Sequence, residues 1–261
     1  MSLLQHAVIE SGGYTINNSL RFRSSASAYL SRTPASAGNQ RTWTLSAWVK
    51  RGQLTTYQNI LTAGTPASST NLVIFMFNTS DQLLFYVDTG TANYQLITTQ
   101  VFRDPSAWYH LVVAFDSTQA TSSDRTKIYV NGTQITSFGT ASYTPQNNTY
   151  GVNATLSHRI GNYVYDNTRY LDGYLADYYI IDGQALTPSS FGQTDPVTGV
   201  WQAKKYTGTY GTNGFYLPFI NNVISGYSTY YGSFNGSSQY LSIGSCNATN
   251  LGTGNYTVEA W

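Results

Sequence analysis

Apolar and polar residues alternate at period two through almost the whole chain, in short runs that stop at Gly, Asn, Asp or Pro. That period puts one residue class on each face of an extended strand, so the pattern predicts half-buried β-strands throughout. Thr42–Lys50 alternates. Asn71–Asn78 (NLVIFMFN) is almost continuously apolar, as a strand covered on both faces would be. Gln82–Asp88 follows after Thr79-Ser80-Asp81, and the two read as a hairpin. Trp108–Phe115 (WYHLVVAF) reads as another buried strand, and His158–Ile160 and Tyr174–Ile181 as further ones. Lys127–Val130 and Thr133–Thr136 flank Asn131-Gly132, the strongest short hairpin signal available. No window carries a helical stripe. The nearest is a short turn at Thr187–Phe191, with Thr187 as N-cap and Pro188 at the first position. The expected fold is all-β: roughly a dozen strands in a two-sheet antiparallel β-sandwich, large enough to be a jelly roll.

Composition narrows what such a sandwich can do. Hydrophobic residues make up 41% of the 261 residues, enough for a core, but charged residues only 10%, against the usual quarter. The surface is therefore built from Ser, Thr, Asn, Gln, Gly and the 23 tyrosines, which suits contact with sugars or other proteins. A net charge of +1 and no basic run give no electrostatic footprint for nucleic acid or anionic membrane. One cysteine, Cys246, rules out an internal disulfide framework, and with no basic cluster beside it, it reads as a small hydrophobe. The first residues predict neither a signal peptide nor a membrane span.

A motif occurs twice. Phe22, Tyr29-Leu30-Ser31 and Trp43–Trp48 recur as Phe234, Tyr240-Leu241-Ser242 and Tyr256–Trp261, over spans of 48 − 22 = 26 and 261 − 234 = 27. The second copy is too short to bury a core by itself. The expected organisation is a lead at 1–17, a sandwich at 18–195, a Gly/Tyr-rich connection at 196–230 and the start of a second sandwich at 231–261. Within the connection, Trp201, Tyr206 and Tyr210 are expected to pack on the first domain, and Phe215–Ile220 to form a short strand. The favoured explanation of the half-copy is a longer protein carrying a second sandwich. A truncated product with a residual tail, or a tail that adds its strands to the first domain or another chain, would also give it.

Six ordered segments carry a family resemblance: Ser46–Lys50, Trp108–Val112, Lys127–Gly132, His158–Gly161, Leu171–Asp177 and Ala185–Pro188. Together, over roughly Leu20–Gln193, they resemble the laminin-G-like, concanavalin A-like lectin/glucanase superfamily. Phe102–His110, Ile181–Pro188 and Tyr206–Leu217 resemble virion proteins of tailed phages, especially marine and cyanobacterial ones. That resemblance implies a non-enzymatic structural protein of the virion: a tail fibre, another appendage or a capsid decoration. It also implies other virion proteins as partners and, by analogy, a homo-oligomer with a trimer favoured. The apolar lead would dock on another subunit or form a terminal strand of its own domain.

Glycoside hydrolysis is the enzymatic option in such a superfamily, and it needs two carboxylates facing each other across a cleft. The chain holds only Glu10 and Glu259, and no strand carries an alternating Glu/Asp set. Asp172, Asp177 and Asp182 are spaced by five, which puts neighbours on opposite strand faces. No catalytic residue is assigned and no enzyme is expected. His110 reads as a satisfied core or edge histidine; His158, before a turn, as an exposed one. Calcium is the cofactor the resemblance would bring, with Asp116, Asp166 and Asp172 as candidate ligands and Asp124 also near a loop. No dense ligand loop appears, and the alternative is that these residues cap turns or pair with Arg159 or Arg169. For a host-surface glycan, the candidate residues are Tyr163, Tyr165 and Tyr170 in the loop Asn162–Tyr170, with turn packing as the competing role. Trp43, Trp48 and Trp108 are expected to pack in the core, a sugar-stacking platform being their other reading.

Overall fold

The computed structural model describes residues 14–220. The second motif copy, Phe234–Trp261, and most of the lead lie outside the described residues. In chain order the strands are β1 (Leu20–Phe22), β2 (Leu30–Arg32), β3 (Thr42–Arg51), β4 (Gln58–Gly64), β5 (Leu72–Phe77), β6 (Gln82–Asp88), β7 (Asn93–Val101) and β8 (Tyr109–Asp116). They continue as β9 (Thr126–Val130), β10 (Thr133–Gln134), β11 (Phe138–Ala141), β12 (Ser157–Ile160) and β13 (Gly173–Asp182). A 3-10 turn at Pro188–Ser190 precedes β14 (Gly192–Thr194), β15 (Trp201–Ala203) and β16 (Phe215–Leu217).

Two seven-stranded antiparallel sheets form the body. The first runs β1-β13-β3-β8-β9-β10, with β16 also paired to β13; the second runs β11-β7-β6-β5-β4-β12-β2. A two-stranded ribbon of β14 and β15 stands apart. The predicted runs become strands with little change: Gln82–Asp88 is β6, and Leu72–Phe77 is β5, buried at every position. The count exceeds a dozen because short edge strands such as β10 and β11 carry too few residues to show an alternation of their own. No helix among the described residues is long and apolar enough to cross a membrane.

Side-chain parity sorts each strand into two faces. Leu45, Ala47 and Val49 of β3 point inward, with Leu111, Val113 and Phe115 of β8. They meet Val73, Phe75 and Phe77 of β5 and Leu83, Phe85 and Val87 of β6 in one core. At one end of the core Arg51 and Asp81 pair at 3.0 Å, both buried, and Arg51 also donates to the carbonyl of Phe102 at 2.6 Å. Burial would raise the Asp81 carboxyl, but the backbone N–H of Thr55 and the guanidiniums of Arg103 and Arg51 outweigh it and hold it below the usual range.

The outward faces are apolar too, and the chain covers both. Val112, Ala114, Tyr129, Tyr179 and Ile181 of the first sheet are roofed by Phe191 and Tyr206, with Leu186, Tyr210 and Tyr216 against them. Leu72, Ile74, Met76 and Leu84 of the second sheet lie under Tyr163 and Val164. Each large apolar side chain so covered contributes about 1.5–3 kcal/mol. Tyr206, Tyr210 and Tyr216 of the roof come from the segment expected to be a connection, and that segment also supplies β16, which pairs with Tyr178–Ile180. The sheet therefore takes a strand from beyond the boundary expected at 195.

Trp201 pins the ribbon to this roof. It sits against the Asn131-Gly132 turn, where both residues have positive φ (48° and 82°) as a two-residue hairpin of this type requires. A Cβ on Gly132 would come within 2.5 Å of the Trp201 ring, and one on Gly192 within 2.4 Å. The two glycines are what let the indole lie flat on the sheet.

Candidate functional site

Where the roof ends, the first sheet leaves a groove of 430 Å³ between Trp48, Trp108, Gln202 and the extended segment 14–19. Its size falls within the ~300–1,000 Å³ typical of small-molecule sites. Trp48 of β3 stands opposite His110 on β8 and Ala176 on β13. Trp108 lies two residues before His110, so both project from the same side. Tyr14, Thr15, Asn17, Asn18 and Ser19 form the far wall, and no ionisable side chain other than Tyr14 lines the space. Both indoles are half-buried. Trp108 continues outward to Tyr174, with ring centroids 6.4 Å apart, and Arg21 lies 5.1 Å over Tyr174. Half-exposed indoles beside short hydroxyl and amide groups can stack on the apolar face of a sugar ring and hydrogen-bond its hydroxyls.

The Trp48 wall is held from behind. His110 stacks on Trp48 at 5.0 Å and on Trp201 at 5.9 Å, so three rings form one pile. The Trp201 indole N–H donates to Nδ1 of His110 at 3.0 Å, and Nε2 lies 2.9 Å from the Ser46 hydroxyl. An indole N–H can only donate. Nδ1 is therefore the bare nitrogen, and Nε2 carries the proton and donates to Ser46. Burial pushes this imidazole down to about 3, so it stays neutral and its tautomer fixed.

The opposite wall is clasped by Asp177. One carboxylate oxygen accepts hydrogen bonds from the hydroxyls of Tyr216 (2.8 Å) and Tyr14 (3.1 Å), which are themselves 2.9 Å apart. Asp177 sits in a bulge of β13, with φ +42° and the register shifting between Ala176 and Tyr179. The bulge turns the carboxylate toward the end of the roof. Burial raises its pKa against the lowering pull of the two tyrosines.

The residues predicted from sequence fall elsewhere. Tyr163 is buried, its ring engaged by Tyr165 at 5.8 Å and by the Arg169 guanidinium at 4.2 Å. Tyr165 is 41% exposed, and Tyr170 is half-buried with its centroid 6.4 Å from Tyr29. The loop thus brings Tyr163 and Tyr165 together, and only Tyr165 and part of Tyr170 face solvent. The three candidate calcium ligands are not brought together. Asp116 accepts from Thr118 and Gln119, Asp166 from Thr168, and Asp172 from Ser24 and from Arg21, its ion-pair partner at 2.6 Å. No group of three or more His, Cys, Asp or Glu among the described residues could hold a metal ion. Of the alternative role, the turn capping holds, since Asp116 and Asp166 accept from the backbone N–H groups of Thr118 and Thr168, but no ion pair among the described residues joins these carboxylates to Arg159 or Arg169.

Two further expectations change. His158 is buried rather than exposed. Its Nε2 accepts from the backbone of Asn153 at 2.9 Å, so Nδ1–H donates to the carbonyl of Leu156 at 2.8 Å. Trp43 is in the core as expected, but Trp48 and Trp108 are not. The five-residue step from Trp43 to Trp48 is odd, so the two must face opposite ways, and that parity was the available signal.

Two facing antiparallel sheets with almost no helix define the lectin-type jelly-roll sandwich. Residues 24–190 match the family profile of the concanavalin A-like lectin/glucanases superfamily, and the chain belongs to that superfamily. No curated protein gives a significant match. Among solved structures, the mouse laminin α1 chain domains LG4-5 share 12% identity over 61% of this chain (TM-score 0.42), and this chain spans 40% of theirs. The native heptameric SAP-like pentraxin from Limulus polyphemus shares 14% identity over 72% of this chain and 87% of its own (TM-score 0.45). The CBM40 of Ruminococcus gnavus IT-sialidase shares 12% over 61% and 95% (TM-score 0.45).

Proposed function

We propose that this protein is a non-catalytic binding sandwich that takes a neutral glycan in the Trp48–Trp108 groove. The observation that carries the reading is the pair of half-exposed indoles, with one ring backed by the Trp48–His110–Trp201 pile and the far wall lined by Asn17, Asn18 and Ser19. A preorganised aromatic wall loses little side-chain entropy on binding. Non-catalytic action is supported by the occupation of the carboxylates. Asp172 is spent on Arg21 and Ser24, Asp177 on two tyrosines, and Asp182 on Asn39, Asn153 and Asn213.

We further propose that the setting is a tailed-phage virion, with the domain in a fibre, another appendage or a capsid decoration, assembled as a homo-oligomer and touching the host surface. The phage-like wording of Phe102–His110, Ile181–Pro188 and Tyr206–Leu217 and the tandem motif support that setting.

A panel of neutral oligosaccharides, titrated against the wild-type chain and Trp108→Ala, tests the binding reading. One or more should bind the wild type and bind the variant at least about fivefold more weakly, as expected for a lost ring contact. Equal affinities, or no binding by any neutral glycan, would end it. Mass spectrometry of purified virions tests the setting, and absence of the chain from the particles would remove it.

A further inference from the structure

We infer that Arg169, on the rim of the second sheet and away from the groove, is a receptor for the carboxylate or sulfate of an acidic sugar. The hairpin Tyr163–Thr168, closed by the Tyr163 N–H donating to the Thr168 carbonyl at 2.8 Å, delivers Arg169 with φ +55°. A left-handed arginine is an uncommon conformation that persists only where its surroundings enforce it. Here the buried Asn59 enforces it: its backbone N–H (3.1 Å) and its side-chain amide (3.2 Å) both donate to the Arg169 carbonyl.

The side chain that results is fixed but unspent. Its guanidinium carbon lies 4.2 Å from the ring centroid of Tyr163 and 4.8 Å from that of Tyr57. Among the described residues it enters no ion pair, and none of its N–H groups donates to a protein acceptor. A guanidinium placed against rings keeps its in-plane donors for a planar anion, and a carboxylate or sulfate fits that fork with two parallel hydrogen bonds. Tyr57, 40% exposed, lies beside the guanidinium, and Tyr165, 41% exposed, stacks on Tyr163 at 5.8 Å, so exposed tyrosine rings border the site for a pyranose. Charge alone does not make the site. Asp88 and Asp166 lie close enough to act on Tyr163. Asp166 is turned to Thr168, and Asp88 to the Tyr86 hydroxyl and Gly90 N–H, so recognition rests on the direction of the Arg169 donors.

The test uses three probes of equal length: an oligogalacturonide, a sulfated galactan fragment and a neutral galactan fragment. Each is titrated calorimetrically against the wild type, Arg169→Lys, Arg169→Gln and Trp108→Ala. At least one acidic probe should bind the wild type and the groove variant alike, more tightly than the neutral probe. It should bind Arg169→Lys about tenfold more weakly or worse, because an ammonium keeps the charge and loses the fork. Arg169→Lys also guards against loss of folding, which its melting curve reports. Equal binding of the acidic probe to Arg169→Gln, equal binding of the neutral and acidic probes by Trp108→Ala, or no acidic binding by the wild type would overturn the assignment. Comparing neutral with acidic probes in Trp108→Ala keeps the outcome separate from binding in the groove.

Discussion

The indole N–H of Trp201 points at Nδ1 of His110, 3.0 Å away, and settles which imidazole nitrogen carries the proton. Trp201→Phe keeps an aromatic side chain, though a smaller one, and deletes the donor. It strands a buried acceptor and should destabilise the fold by about 1–3 kcal/mol. Urea denaturation of the two proteins measures this, and an unchanged midpoint would show that the hydrogen bond contributes nothing.

Gly132→Ala should disturb the same pile from the turn side. Alanine at φ +82° costs about 1–2 kcal/mol, and its Cβ would press within 2.5 Å of the Trp201 ring. The variant should be less stable, and its Trp201 indole proton should exchange faster with solvent. Wild-type exchange in a folded variant would mean that the ring does not depend on the glycine.

Acid should weaken the fold through two histidines. Burial holds His110 at about 3 and His158 at about 4, below the ordinary 6.5. The unfolded chain therefore takes up protons below pH 6.5 that the folded chain refuses. The contribution is fully present above pH 6.5 and is lost progressively down to about pH 4 and 3. At pH 5 the loss is about 2 kcal/mol per histidine. Urea midpoints at pH 7.5 and 5.0 test this, and equal midpoints would refute it.

Asp177 works in the opposite direction. Its folded pKa is raised by burial, so its charged form is disfavoured in the fold, and the penalty grows as pH rises through that value. Asp177→Asn keeps an oxygen for Tyr14 and Tyr216 without the charge. Its stability relative to wild type should be greater at pH 8 than at pH 4. A constant difference across that range would show that the carboxylate carries no burial penalty.

Most of the sandwich was legible because strand parity is a local property. The continuous apolar run Leu72–Phe77 announced a strand covered on both faces, and Asn131-Gly132 announced its hairpin. What covers those faces was not legible. The roof of Phe191 and Tyr206 over Val112 and Tyr179 joins residues far apart in sequence, and no short-range period encodes such a contact. The groove was half legible: the odd step from Trp43 to Trp48 put one ring outside, but the facing wall, 14–19, is supplied by a segment with no signal of its own. The tyrosine loop was found, but its partner Tyr57 lies more than a hundred residues upstream of Arg169. His158 looked exposed because it precedes a turn, and burial against Asn153 is a tertiary fact.

The meeting of Tyr14 and Tyr216, hydroxyl to hydroxyl at 2.9 Å, has a mechanical consequence. The backbone enters and leaves the sandwich beside one clasp, so a pull on the two flanking segments does not stretch the body lengthwise. The load falls first on Asp177 and the short β16 pairing, which can peel one bond at a time. The core strands lie outside that load path until the clasp has opened.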